Sequence, residues 1–195
     1  MGTMQTVASE RVRAFIAVDI PDEIREKMAE VAKEIEAEGI RAVAADQMHI
    51  TLFFLGYLDA AQVEAVKDIL SGMDSKEFGV SLHGAGTFTI RRPRVVFANI
   101  LYGADELNAM HEKISSILPT MMKLEKEKFT PHVTLLRLNR FDSVTTERAR
   151  AFIEKYKDTD FGNFECKVVK LKKSVLTGEG AVHSDVYVKE LKSVP

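Results

Sequence analysis

His49-Ile50-Thr51-Leu52-Phe53-Phe54-Leu55-Gly56 and His132-Val133-Thr134-Leu135-Leu136-Arg137 are two versions of one phrase. With five His, 12 Thr and 15 Leu in 195 residues, chance supplies about 0.02 His-x-Thr-Leu matches. Two copies therefore mark an internal repeat. Each copy alternates polar and apolar residues, which is the pattern of a half-buried strand. On a strand, residues i and i+2 share a face, so His49 projects with Thr51 and His132 with Thr134. Ile50 and Val133 face the other way and anchor the strands to a core. Two such strands brought together would offer two imidazoles and two hydroxyls to one cleft.

Such a set suits a phosphodiester. Imidazole titrates near neutrality, so one ring can take a proton from water while the other, protonated, gives one to the leaving oxygen. Threonine hydroxyls can donate to the non-bridging oxygens, whose charge must be held as phosphorus becomes five-coordinate. Arg137 would add a bidentate phosphate contact that lysine cannot reproduce. In a regular strand, however, i and i+5 face opposite ways, so Arg137 needs a bulge or a strand end to join His132. A histidine on its own is more often a structural residue, and His83 and His111 read that way, His111 falling on the polar side of its helix.

Outward from the repeat, strands are expected over residues 13–18, 48–55, 80–88, 95–100, 129–138, 164–176 and 186–191. Four amphipathic helices lie between them. Pro21 with Asp22 and Glu23 opens the first, on which Ile24, Met28, Val31 and Ile35 share a face. Asp59 and Gln62 form a capping box for the second. Leu107, Met110, Ile114 and Ile117 define the third, closed by Pro119, and Ala149, Phe152, Ile153 and Tyr156 the fourth. The turn at residues 91–94 is Arg-Arg-Pro-Arg, and residues 123–128 read as a solvated charged loop.

Composition limits the remaining choices. One cysteine, Cys166, rules out an intrachain disulfide, and a reducing, cytoplasmic setting is expected. The formal net charge is −2, which argues against a protein that coats nucleic acid, so any such contact must be local, at a strand end. No apolar run is long enough for a membrane helix, and no membrane association is expected. Met1-Gly2-Thr3-Met4-Gln5-Thr6 fits a permissive N-myristoylation pattern. The plainer reading is a flexible leader over residues 1–12 ahead of a single domain over residues 13–195.

The order of strand, His-x-Thr-Leu, helix, strands, helix and His-x-Thr-Leu resembles the two-histidine phosphoesterase superfamily, specifically the RNA 2′,3′-cyclic phosphodiesterases also called 2′-5′ RNA ligases. Arg13-Ala14-Phe15-Ile16-Ala17-Val18, the two motifs, Arg94-Val95-Val96-Phe97-Ala98 and Leu171-Lys172-Lys173-Ser174-Val175-Leu176 carry the likeness. It implies an α+β fold, bilobal with pseudo-twofold symmetry, two antiparallel sheets lining a central cleft and helices outside. It implies hydrolysis of RNA 2′,3′-cyclic phosphate ends to 2′-phosphates, with no metal and no cofactor. His49 is the implied proton donor and His132 the acceptor, with Thr51, Thr134 and Arg137 on the phosphate. The expected substrates are RNA ends or small cyclic nucleotides, and a monomer without an obligate protein partner is expected. Phe53 stands where many relatives carry a basic residue, Phe97 where tryptophan is common and His183 where tyrosine is usual, so Phe53 and His183 are expected to alter substrate contacts. The rivals are a 2′-5′ RNA ligase running the cleft in reverse, a non-catalytic RNA-end or nucleotide-binding module, and a metal-dependent phosphodiesterase. The last finds no His-Glu-x-x-His and no dense Asp/His cluster in the sequence.

Overall fold

The computed structural model describes residues 11–118, 128–178 and 180–193. The N-myristoylation match, nearly all of the expected leader and residues 123–127 of the charged loop lie outside them. The chain runs β1 (Val12–Asp19), α1 (Asp22–Lys33), β2 (Ile40–Ala42), a short 3-10 turn (Ala45–Gln47), β3 (His49–Leu58), α2 (Ala60–Ser71), β4 (Phe78–Gly86) and β5 (Val95–Tyr102). It continues through α3 (Ala104–Ile117), β6 (His132–Leu138), α4 (Ser143–Tyr156), β7 (Asp160–Cys166), β8 (Val168–Thr177) and β9 (Gly180–Glu190).

The helices begin where their sequences direct. The Asp59 carboxylate accepts from the Gln62 N–H at 2.9 Å, and the Gln62 side chain accepts from the Asp59 N–H at 3.0 Å, so two end donors of α2 are satisfied reciprocally. Asp142 caps α4 in the same way, accepting from the Thr145 N–H at 2.7 Å. Each helix then buries one stripe: Met28 and Ala32 of α1, Val66 and Leu70 of α2, Leu107 and Ile114 of α3, and Ala149 of α4 are essentially without solvent contact. These residues join one core with Ile16, Ile50, Val133 and Leu171 of the strands. Since the helices all pack into that core, the opposite face of the sheet stays open. Burying such side chains is worth about 1.5–3 kcal/mol each.

The strands form one antiparallel sheet in the order β7-β4-β5-β6-β3-β1-β8-β9, with β2 paired to the end of β6. Four strands lie on each side of the β3–β6 junction, as pseudo-twofold symmetry requires. The two expected sheets are thus two lobes of one sheet. Their join is narrow, because β3 and β6 register only at Ile50 and Val133 before β2 takes over the edge of β6. The chain's last strands close its first lobe: β8 pairs with β1, setting Ser174 opposite Arg13. Residues 164–176, expected as one strand, are split at Lys167 between β7 and β8, which belong to different lobes.

Candidate active site

The single junction pair brings the two motifs together. Ile50 lies opposite Val133 in antiparallel register, so one step either way sets His49 against Thr134 and Thr51 against His132. Ile50 and Val133 are fully buried. The histidines and threonines are half-buried on the other, open face. This is the constellation expected from the sequence, with each histidine facing the threonine of the other motif.

Both motifs then break register at the same residue. β1 pairs Ala17 with Thr51 and Ile16 with Phe53, passing over Leu52; β5 pairs Phe97 with Thr134 and Val96 with Leu136, passing over Leu135. Each leucine is the extra residue of a β-bulge, and the alternation of faces inverts beyond it. Leu135 and Leu136 are both buried and Arg137 is exposed. The bulge thereby turns Arg137 onto the face of His132 and Thr134. The equivalent of Arg137 in the first motif is Phe54, 64 % exposed. Phe53, the equivalent of Leu136, turns toward the helices and stacks on His111 at 4.8 Å between centroids. Its expected influence on substrate is corrected accordingly, since its ring is turned away from the open face.

His111 is a structural residue, as one branch of its reading had it, packed and hydrogen-bonded rather than solvated. Its ring lies between Phe53 and Phe129, 4.2 Å from the latter and 5° from parallel. Its Nδ1–H donates to the Leu52 carbonyl at 2.9 Å, the carbonyl that the bulge displaces from the ladder. In the second motif the Val43 N–H does that job for Leu135, also at 2.9 Å. The helical period could place His111 on a face, but a bulge on a distant strand is not legible from it. His83, by contrast, sits in β4 opposite Asn99 and Asp160, as an ordinary strand residue.

Each imidazole is oriented from behind. His132 Nδ1–H donates to the Thr130 carbonyl at 2.7 Å, leaving Nε2 to face outward. His49 bonds the backbone of Gln47 in the same i−2 relation. Opposite each histidine stands a polar residue that sequence reasoning passed over: Asp19 across from His49, and Asn99 across from His132. Asp19 closes β1 but Asn99 lies within β5, so their shared place opposite a histidine follows from strand register and not from a local pattern. Asn99 donates to the Gly84 carbonyl at 2.9 Å. Asp19 belongs to a square of four charges, with Lys170 and Lys172 each bridging Asp19 and Asp185 at 2.7–2.8 Å.

The surroundings depress both histidines. Burial pushes His49 down to about 4, helped by His183 and Lys172, against the opposing pull of Asp19 and the Gln47 bond. His183 stands edge-on to His49 at 5.4 Å and to Phe15 at 4.9 Å, while Phe15 stacks on His49 at 4.8 Å. The Nδ1 of His183 is buried without a hydrogen-bond partner. His132 is lowered by burial and by Arg137, against the raising effect of the Thr130 bond, among Phe97 at 4.9 Å and Phe88 at 5.1 Å. Although Arg137 is exposed as a residue, partial desolvation and the nearby Arg13 and Arg41 lower its guanidinium, whose opposite number across the β2–β6 ladder is Arg41. Among the described residues no group of three or more His, Cys, Asp or Glu stands where it could hold a metal ion. No helix among them is long and apolar enough to cross a membrane.

Comparison with known proteins finds the same plan elsewhere. The family described as LigT like Phosphoesterase matches residues 18–97 and 102–183. A Methanocaldococcus jannaschii protein named RNA 2′,3′-cyclic phosphodiesterase is 33% identical over 176 residues, 88% of this chain and 96% of the relative. One of the same name from Archaeoglobus fulgidus is 31% identical over 184 residues, 92% of this chain and all of the relative. A crystal structure of Escherichia coli LigT complexed with 3′-AMP superposes with a TM-score of 0.78 at 25% identity, over 93% of this chain and 99% of that one.

Proposed function

Because the chain belongs to the LigT-like phosphoesterase family, we propose that it hydrolyses RNA 2′,3′-cyclic phosphate ends to 2′-phosphates by acid–base catalysis without a metal. One observation carries the reading: the Ile50–Val133 pair sets two imidazoles and two threonine hydroxyls on one open face. The names of the relatives supply the substrate class.

In this mechanism Thr51, Thr134 and Arg137 hold the non-bridging oxygens. His132, its Nδ1–H engaged by Thr130, uses Nε2 to take a proton from water as the water oxygen bonds to phosphorus. The bond from phosphorus to the 3′ oxygen breaks, and His49 protonates that oxygen, leaving a 3′-hydroxyl and a 2′-phosphate. A histidine with a pKa near 4 carries almost no proton at neutrality but surrenders one readily. The phosphodiester brings its own negative charge into the site, which raises both imidazoles and loads His49. Water at about 55 M is the most available nucleophile, which favours hydrolysis over joining of a second RNA end.

The test is incubation with an oligonucleotide ending in 2′,3′-cyclic phosphate in excess chelator, with the product identified by phosphorus NMR. A 2′-phosphate formed at an undiminished rate is expected. Loss of activity with chelator and recovery with a divalent ion would overturn the metal-free mechanism, and a joined product in place of hydrolysis would overturn the hydrolase reading.

A further inference from the structure

Outside the motifs, the loop between β4 and β5 has a composition the reaction does not use. Residues 87–94 leave the socket of His132 through Phe88, whose ring stands edge-on to His132 and 4.7 Å from Phe97 yet remains 57 % exposed. Beyond it, Ile90, Arg91, Arg92 and Arg94 are all exposed. Such a loop would ordinarily be mobile, but this one is pinned along its length. Thr87 Oγ1 donates to the Val95 carbonyl at 2.7 Å and Arg150 Nε to the Ile90 carbonyl at 3.0 Å. Pro93 is buried. Arg92 and Arg94 lie over the Phe141 ring at 4.5 and 5.4 Å. Stacking occupies the face of a guanidinium and leaves its N–H edge to bond phosphate.

The charge is equally uneven. Among the described residues no carboxylate pairs with Arg91, Arg92 or Arg94, and the nearby acids Asp142 and Glu147 are taken by Arg140 and Arg150. Across the junction, by contrast, Lys170 and Lys172 are matched two for two by Asp19 and Asp185. Concentrating unpaired arginines on one loop of a chain with net charge −2 is not an effect of overall composition. Arg94 also adjoins Arg137, since its carbonyl accepts from the Leu138 N–H and Val95 pairs with Arg137. The loop is therefore joined by its backbone to the strand that carries Arg137, and by the Phe88 ring to the socket of His132.

Resting on the hydrolase reading, we propose that this loop is the landing strip for the single-stranded RNA upstream of the cyclic end. A base stacks on Phe88 and the following phosphates lie along Arg91, Arg92 and Arg94. An exposed ring beside a pre-ordered basic edge fits unpaired bases and not a duplex, whose bases have no free faces.

The experiment compares cytidine 2′,3′-cyclic phosphate with an eight-nucleotide single strand bearing the same end, using the wild type and the Arg91→Gln/Arg92→Gln double variant. In the wild type the octamer is preferred, and the preference fades with salt. In the variant kcat/KM for the octamer falls about tenfold at low salt, its salt slope flattens by about 1.4 because two single-strand phosphate contacts are lost, and the mononucleotide is unaffected. Equal losses on both substrates, or no wild-type preference for the octamer, would overturn the strip. If the wild type turns over neither substrate, the hydrolase reading falls, and fluorescence anisotropy with the octamer ending in 3′-phosphate decides the strip alone. Tighter binding by the wild type than by the variant, with a duplex of the same sequence binding worse, supports it; equal binding, or equal competition by polyglutamate, refutes it.

Discussion

The two lobes present the same His-x-Thr-Leu motif in different company. His49 faces Asp19, stacks on Phe15 and stands beside a third imidazole and a closed square of lysines and aspartates. His132 faces Asn99 and sits among phenylalanines, with Arg137 as its charged neighbour. Burial lowers both rings most; to it the first socket adds several opposing charges and the second a single cation. A symmetric backbone thus carries asymmetric electrostatics, as the proposed division into one acid and one base requires of two identical side chains.

The sharpest way to break this comparison is to remove each ring. His49→Ala and His132→Ala should each slow turnover by about 10² to 10⁴, and the double variant should be little worse than the poorer single, because the two act as a unit. Strictly multiplicative losses in steady-state kinetics would mean that the sockets work independently.

A substrate with sulfur in place of the 3′ oxygen separates the roles, since a thiolate departs without a proton. On it His49→Ala should regain most of its lost rate, while His132→Ala, still without a base for water, stays impaired. The opposite pattern would exchange donor and acceptor.

Exchanging the residues that face the rings should move pH limbs in opposite directions. Both histidines are depressed in the free protein, so kcat/KM should be bell-shaped with its maximum on the acid side of pH 6.5, the limbs belonging to the coupled pair. Asp19→Asn removes a charge that holds His49 up, and the acid limb should slide further down. Asn99→Asp adds a charge opposite His132, and its limb should rise by about one unit. Limbs that stay put in both variants would show that the facing residues do not tune the rings.

The smallest expected effect tests the bulges. In the second motif the Leu135 carbonyl is held by backbone, in the first the Leu52 carbonyl by His111. His111→Phe keeps the stack between Phe53 and Phe129 but loses the bond, and kcat should fall about tenfold with KM nearly unchanged. Full activity in His111→Phe, or an equal loss in His111→Asn, which can still donate, would leave the ring without a positioning role.

Much of this arrangement could be read in the chain beforehand. Periodicity located the four helices, and the repeat located the two strands that meet. It also exposed the difficulty with Arg137, for which a bulge was the stated remedy, and Leu135 supplies it. Other features had no local signature. Asp19 and Asn99 matter because of cross-strand register, and register is set by partners remote in sequence. The same holds for His111, whose partner is a displaced carbonyl on another element. The short β2, which occupies the remaining edge of β6, has too few residues for a period to register.

The pairing of β1 with β8 has a consequence in time as well as in space. His49 and Phe15 are made early on the ribosome, but the strand that covers the free edge of β1, and the one carrying His183, emerge only after the whole second lobe has been synthesised. The first lobe cannot mature alone, and its hydrophobic edge must wait through an interval in which stray pairing is possible. Such long-range closure makes for slow folding. It also means that a nascent chain has no complete site until its final hairpin docks.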